Sequence, residues 1–180
     1  MDKQKLIQMA VDGLGRSYAP YSHFHVSAAL LCADGTVYTG NNIENAAYTP
    51  SVCAERCAIF KAVGDGRREF EAIAVCGGPD GVIEDYCPPC GVCRQVMREF
   101  CDPSSFRVLV AKTAEDYREY TLEQLLPDGF GPDHRQGQGK DERWWMVVRM
   151  YDLIENKKKG MALTKEEISY MVRVCKRRNP

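Results

Sequence analysis

Three cysteines and a glutamate, set in two short stretches, carry the strongest chemical signal in the chain. Ser51-Val52-Cys53-Ala54-Glu55-Arg56 and Pro89-Cys90-Gly91-Val92-Cys93-Arg94-Gln95 each read as the start of a helix. A C-x-x-C pair sets two sulfurs on one side of a first helical turn, where the positive end of the helix dipole favours thiolate. Cys53 supplies a third sulfur. Three thiolates leave one position of a tetrahedral zinc for water, which is the arrangement of a catalytic rather than a closed structural site. Glu55, two residues beyond Cys53, is spaced to reach that water and shuttle protons. Zinc with three thiolates carries a net charge of about −1, which opposes ionisation of the water. Arg56 and the two helix N-termini are the positive charges that offset it, Arg56 by hydrogen bonding to ligand sulfur.

The remaining cysteines need a place. The chain has nine, an odd number, and its first twenty residues mix acidic and basic side chains without an apolar run. Neither a secretory signal nor a membrane span is therefore expected, the expected location is cytoplasmic, and thiols there are ligands, catalysts or small core residues rather than disulfides. Cys87-Pro88-Pro89-Cys90 forms a second C-x-x-C and Cys57 follows Cys53 by one turn, so a closed four-cysteine structural site stands as an alternative. The plainer readings make Cys57 a core residue and Cys87 a loop thiol. His23 and His25 are ligands by type, but strand alternation about Phe24 turns both toward solvent, and the cysteine site leaves them no task.

Elements that position these residues follow from periodicity and breakers. Leu6, Ile7, Ala10, Val11 and Leu14 recur at helical spacing over residues 2–14. Phe24 to Cys32 and Thr36 to Asn42 are extended runs flanking Asp34-Gly35, a hairpin signal. Thr49-Pro50-Ser51 offers capping hydroxyls and a first-turn proline for a helix from Val52 to about Val63, closed by Gly64 and Gly66. Phe70 to Cys76 reads as a strand that Gly77-Gly78-Pro79 ends. A helix from Gly91 to Cys101, a strand from Ser105 to Lys112, a weaker strand at Tyr117 to Tyr120 and a short helix at Leu122 to Leu126 complete the order. Such an order predicts an α/β fold, a mixed sheet between helical layers. HRQGQGKDE, polar and glycine-rich, reads as a linker, so the expected organisation is residues 1–133, a linker at 134–143 and a helical extension at 144–180.

Composition limits the function classes. With 180 residues, 44% hydrophobic and 27% charged, the chain is one globular domain with a short appendage. Its net charge of −1 divides into −6 over residues 1–139 and +5 over 140–180. An acidic body argues against a sequence-independent grip on nucleic acid, and the basic tail reads as a solvated helix face.

The Cys-Ala-Glu followed by Pro-Cys-x-x-Cys resembles the zinc deaminases, and cytidine deaminases in particular. The likeness covers nearly all of residues 1–131, through Tyr18-Ala19-Pro20-Tyr21-Ser22, Phe24, Ala28-Ala29-Leu30, Asn42-Ile43-Glu44-Asn45-Ala46-Ala47-Tyr48, Cys53-Ala54-Glu55-Arg56, Pro89-Cys90-Gly91, Cys93-Arg94-Gln95, Leu125-Leu126-Pro127 and Phe130. It implies the three-layer α/β/α fold of that family, one Zn2+ per chain on Cys53, Cys90 and Cys93, and Glu55 as the group that moves protons. It also implies that Asn42 and Glu44 hold ribose hydroxyls, that the Ala54 N–H meets the base carbonyl and that Phe24 lines the pocket. A carboxylate at Glu44 accepts strongly from sugar hydroxyls and repels phosphate, which favours free nucleosides over nucleotides; a deaminase of another base, a modified nucleoside or a polynucleotide is the alternative that the string from Asn42 to Tyr48 and the acidic body speak against. The resemblance further implies a homotetramer in which the Phe130 ring reaches a neighbouring subunit's site. A non-catalytic zinc module closed by Cys57 or Cys87 is the rival from another class.

The tail resembles something else. Arg149-Met150-Tyr151-Asp152-Leu153-Ile154-Glu155, Lys157-Lys158-Lys159-Gly160 and Leu163-Thr164-Lys165-Glu166-Glu167-Ile168 are similar to the amino-terminal segment of pyrimidine-nucleoside phosphorylases. About thirty residues are too few to include a phosphorylase catalytic site, so the expectation is a truncated fusion without activity of its own; an unrelated helical hairpin is the plainer alternative.

Overall fold

The computed structural model describes residues 1–135 together with Lys157, Ala162 and Ile168. It divides into two units, Met1–Gly131 and Pro132–Pro180. In the second, Pro132–Arg135 form a short 3-10 turn, and Lys157 and Ile168 are helical. The rest of the expected linker and extension lies outside the described residues.

In the first unit, α1 (Lys3–Gly13) is followed by the hairpin β1 (Phe24–Cys32) and β2 (Val37–Asn41), α2 (Ala54–Gly64), β3 (Phe70–Pro79), α3 (Gly91–Phe100), β4 (Arg107–Ala111), β5 (Tyr117–Thr121) and the single turn α4 (Leu122–Leu125). The strands form one sheet in the order β2-β1-β3-β4-β5. All neighbours are antiparallel except β3 and β4, which are parallel with α3 between them in the chain. The hairpin turns where expected: Gly35 takes φ +84° and Cys32 N–H donates to Thr36 O at 2.9 Å.

Alternation along the strands builds two cores. Ala29, Leu31, Ala74, Cys76, Leu109 and Ala111 face α1, which buries Leu6, Ile7 and Ala10. Ala28, Leu30, Ile73, Val75, Val108 and Val110 point the other way, onto Ala54, Ala58, Ile59 and Ala62 of α2 and Cys93 and Met97 of α3. The result is the expected three-layer α/β/α arrangement, with both cysteine-bearing helices on one face.

Two boundaries differ from expectation. β3 does not stop at Cys76 but pairs with β1 as far as Phe24↔Pro79. A Cβ on Gly77 would lie 2.7 Å from His25 O, and one on Gly78 would run into Val82 O. The glycines thus admit neighbouring backbone to the strand rather than break it. Likewise α2 starts at Ala54, not Val52, with Cys53 as N-cap and no side-chain cap bond. Ser51 is used elsewhere: its hydroxyl oxygen accepts from Asn45 N–H at 3.0 Å in the preceding loop.

Candidate active site

Helices α2 and α3 present their first turns to each other. Cys53 and Cys90 are the two N-caps, and Cys93 lies on the first turn of α3. Cys53 Sγ stands 3.8 Å from Cys90 Sγ, Cys90 Sγ stands 3.5 Å from Cys93 Sγ, and all three atoms lie within 4.8 Å of one another. A disulfide would need about 2.05 Å. A tetrahedron of sulfurs at about 2.3 Å from zinc has edges of about 3.8 Å, so the donor set fits one zinc ion per chain. Among the described residues this is the single cluster of three or more metal-ligating side chains. Neither Cys57 nor Cys87 joins it, so the closed four-cysteine alternative is not assembled.

Electrostatics prepares the sulfurs for a cation. Cys53 is pulled down to about 5 because it accepts a hydrogen bond from Cys93 first, and then from Arg56 and Cys90, against its own burial. The same shared bond pushes Cys93 up. Ligation as three thiolates requires all three sulfurs to give up their protons when the metal binds. An Arg56 Nη atom lies 3.6 Å from Cys53 Sγ and 3.3 Å from Ser51 O, so the guanidinium meets the ligand sulfur as its sequence position suggested.

Glu55 is 3% exposed on the first turn of α2. Desolvation pushes its carboxyl up, and the nearby Cys53 charge adds to that. Both effects favour the neutral, protonated carboxyl over the anion, as in sites that take up and release protons. Cys87 also feels this centre: burial raises it to about 11, with further contributions from Glu55 and Cys53. It is a half-buried, protonated thiol.

Of the residues expected around the sugar and base, Asn42, Glu44 and Ala54 lie on the chain leading into the first turn of α2, Phe24 starts β1 and Phe130 follows α4. Ile43 and Val52 exchange both backbone hydrogen bonds at 2.9 Å, which sets the Asn42–Glu44 segment beside the residue preceding Cys53. Asn42 Oδ1 accepts from Val26 N–H and its Nδ2 donates to Phe24 O, both at 2.8 Å, so the amide ties Phe24 to the segment. Glu44 Oε2 accepts the N–H groups of Tyr21 and Ser22 at 2.9 and 3.2 Å. Phe24 is 40% exposed at the start of β1. The Ala54 N–H belongs to the first helical turn, outside the helix's own hydrogen-bond ladder. Phe130 is 55% exposed, and its carbonyl accepts from Gln95 Nε2 at 2.8 Å.

His25 corrects the expectation of a solvent-facing ring. It is half-buried, and its Nδ1 is enclosed without a hydrogen-bond partner, because β3 runs on past it to Pro79. Two contributors were missed in the sequence. Ser22, in Tyr18-Ala19-Pro20-Tyr21-Ser22, is the first: its hydroxyl bonds to Glu44. Arg94, next to Cys93, is the second: its guanidinium donates to Pro89 O and Leu125 O.

Residues 1–109 match the family model described as the cytidine and deoxycytidylate deaminase zinc-binding region. A cytidine deaminase of Sporosarcina psychrophila is 47% identical over 133 residues, covering 74% of this chain and 94% of the relative. The chain belongs to the cytidine deaminase family. A cytidine deaminase of Halalkalibacterium halodurans is also 47% identical, over 72% of this chain and 95% of its own length. The crystal structure of cytidine deaminase from Burkholderia pseudomallei superposes with a TM-score of 0.66 at 43% identity, covering 72% of this chain and all of that one. About three quarters of this chain thus spans 94–100% of the length of these three relatives.

Proposed function

We propose that the chain hydrolytically deaminates cytidine and deoxycytidine, giving uridine and deoxyuridine with release of ammonia. The observation that carries this reading is the buried Glu55 carboxyl beside three thiols at the spacing of a tetrahedral zinc. Cys53, Cys90 and Cys93 would hold the ion, which when bound supplies a water activated for addition to a carbon centre. Glu55 takes a proton from that water and delivers it to ring N3; the carboxylate so regenerated takes the second proton from the hydroxyl added to the base and passes it to the departing amine, so no histidine is needed. Its burial keeps bulk water from competing for those transfers. The Ala54 N–H orients the base through its carbonyl, Asn42 and Glu44 take the sugar hydroxyls, Phe24 walls the ring, and Arg56 balances the charge on Cys53.

Tyr18, Tyr21, Phe24, Ile43, Tyr48 and Phe130 are large apolar side chains that remain 40% or more exposed in the single chain. Several lie on the Tyr18–Ile43 pairing and the Glu44 loop beside the site. Burial of these side chains by further copies supports a homotetramer in which Phe130 of one subunit completes the site of another. Among the described residues no helix is long and apolar enough to cross a membrane. Free thiols at the centre suit a reducing cytoplasm, and the substrate chemistry suits pyrimidine salvage. The domain boundaries at 133 and 143, and a phosphorylase-like helical extension at 144–180, belong to the same reading.

The test is loss of cytidine absorbance with the purified protein, in parallel with Glu55→Gln and with zinc measured on both. The expected result is activity with about one zinc per wild-type chain, and a loss of at least 100-fold in kcat for Glu55→Gln with zinc retained. Zinc without turnover on cytidine would overturn the substrate assignment. Undiminished activity in Glu55→Gln would overturn the role of the carboxyl.

A further inference from the structure

Helix α3 carries Cys93 and is capped by Cys90, and its other side chains grip backbone elsewhere. Arg94 donates through Nε to Pro89 O and through a terminal guanidinium nitrogen to Leu125 O, both at 2.7 Å. Gln95 Nε2 donates to Phe130 O at 2.8 Å and Arg98 Nε to Gly129 O at 3.2 Å. Arg98 also lies so close to Gly131 that a Cβ there would strike its guanidinium. All three therefore hold the segment 125–131. Arg94 also spans to the loop before α3, at the residue directly preceding Cys90.

That loop is short of handles. Pro88 and Pro89 have no N–H to donate, so a carbonyl is what remains by which their backbone can be anchored. Pro89 is buried, and its carbonyl receives a charge-assisted bond from a guanidinium whose planar fork fixes two acceptors at once; lysine, whose three donors share one nitrogen, cannot reproduce that geometry.

We propose that Arg94 is a positioning residue for the metal centre: by holding Pro89 O and Leu125 O together it fixes where Cys90 sits against Cys93, and it ties that ligand loop to the segment bearing Phe130. The inference rests on the zinc reading above. The test is the rate at which the zinc-loaded protein gives up its metal to a chromogenic chelator in excess, for wild type, Arg94→Met, Arg94→Lys and Arg98→Met, each checked for fold by circular dichroism. Arg98→Met loosens residues 129–131 without touching Pro89, so it separates positioning of the ligand loop from general destabilisation.

The expected result is zinc release about tenfold faster or more in Arg94→Met, an intermediate rate in Arg94→Lys, and the wild-type rate in Arg98→Met. Release at the wild-type rate in Arg94→Met, or equal acceleration in Arg98→Met, overturns the proposal. If Arg94→Met does not fold, Arg94→Lys decides: faster release than wild type supports it, and the wild-type rate overturns it. A wild-type chain with no zinc to release would overturn the zinc reading itself, and this inference with it; zinc bound but released alike by all variants overturns the inference alone.

Discussion

Glu44 is held as an anion by its neighbours. The Ser22 hydroxyl, then the N–H groups of Tyr21 and Ser22, keep its carboxyl below the usual carboxylate range. The Ser22 hydroxyl oxygen in turn accepts from Phe24 N–H at 3.0 Å, so one side chain orients both the expected sugar acceptor and the expected base wall. Glu44→Gln keeps the shape and removes the charge, exchanging charge-assisted hydrogen bonds for neutral ones. That difference is about 1.4 kcal/mol, or about a tenfold rise in KM for cytidine, with kcat changed by no more than about twofold. Steady-state kinetics checks it, and a fall in kcat at constant KM would instead assign Glu44 to the chemical step. The thiols were legible in the sequence because C-x-x-C encodes its own geometry within one helical turn. Ser22 was not, because its partner lies 22 residues away along the chain and is met only when the loop at Tyr18 pairs with Ile43.

At the scale of elements, the site depends on how closely α2 lies on β2. A Cβ added to Gly40 would strike Ala54 O and Ala58 N and come within 2.9 Å of the Cys57 Cβ, all on the first turns of α2. Gly40→Ala must therefore push away the turn that carries Cys53 and Glu55. The expected cost is about 1–3 kcal/mol of stability, with a lower kcat, read by thermal unfolding and kinetics on the same sample. A second element prediction concerns acid. Asp102 holds the turn between α3 and β4, its carboxylate bonded first by the Ser104 hydroxyl and then by the Ser105 and Ser104 N–H groups, which lowers it from its ordinary 3.8. A depressed folded pKa stabilises above the unfolded value, and that contribution is lost as pH falls through the folded one. The gap in unfolding temperature between wild type and Asp102→Asn should thus stay constant above about pH 5 and close below about pH 4; a gap that persists in acid would remove the charge from the explanation. Strand and helix types were legible from periodicity and the Asp34-Gly35 turn. The ends that were misjudged, at Gly77-Gly78 and at Thr49-Pro50-Ser51, are set by tertiary approach: glycines that signal a break in isolation are required where His25 O and Val82 O come close.

The whole molecule raises the question of where Phe130 acts. α3 fixes its backbone, through Gln95 and the neighbouring Arg98 bond, at an edge where the ring is 55% exposed. A large aromatic fixed by its main chain yet still exposed suits a contact made with another surface, and the Glu44 loop presents exposed Tyr48 and Ile43 in the same condition. If the ring serves a neighbouring subunit, damage to Phe130 and damage to Glu55 fall on different chains of one assembly. Phe130→Ala keeps an intact proton carrier and lacks the ring; Glu55→Gln keeps the ring and lacks the proton carrier. Coexpressed so that mixed oligomers form, the two variants should give a specific activity above the mean of the pure ones, because a Phe130→Ala subunit receives the ring of its Glu55→Gln neighbour. Activity at or below that mean in verified mixed oligomers would keep Phe130 within its own chain's site, and a monomeric wild type by light scattering would remove the neighbour altogether.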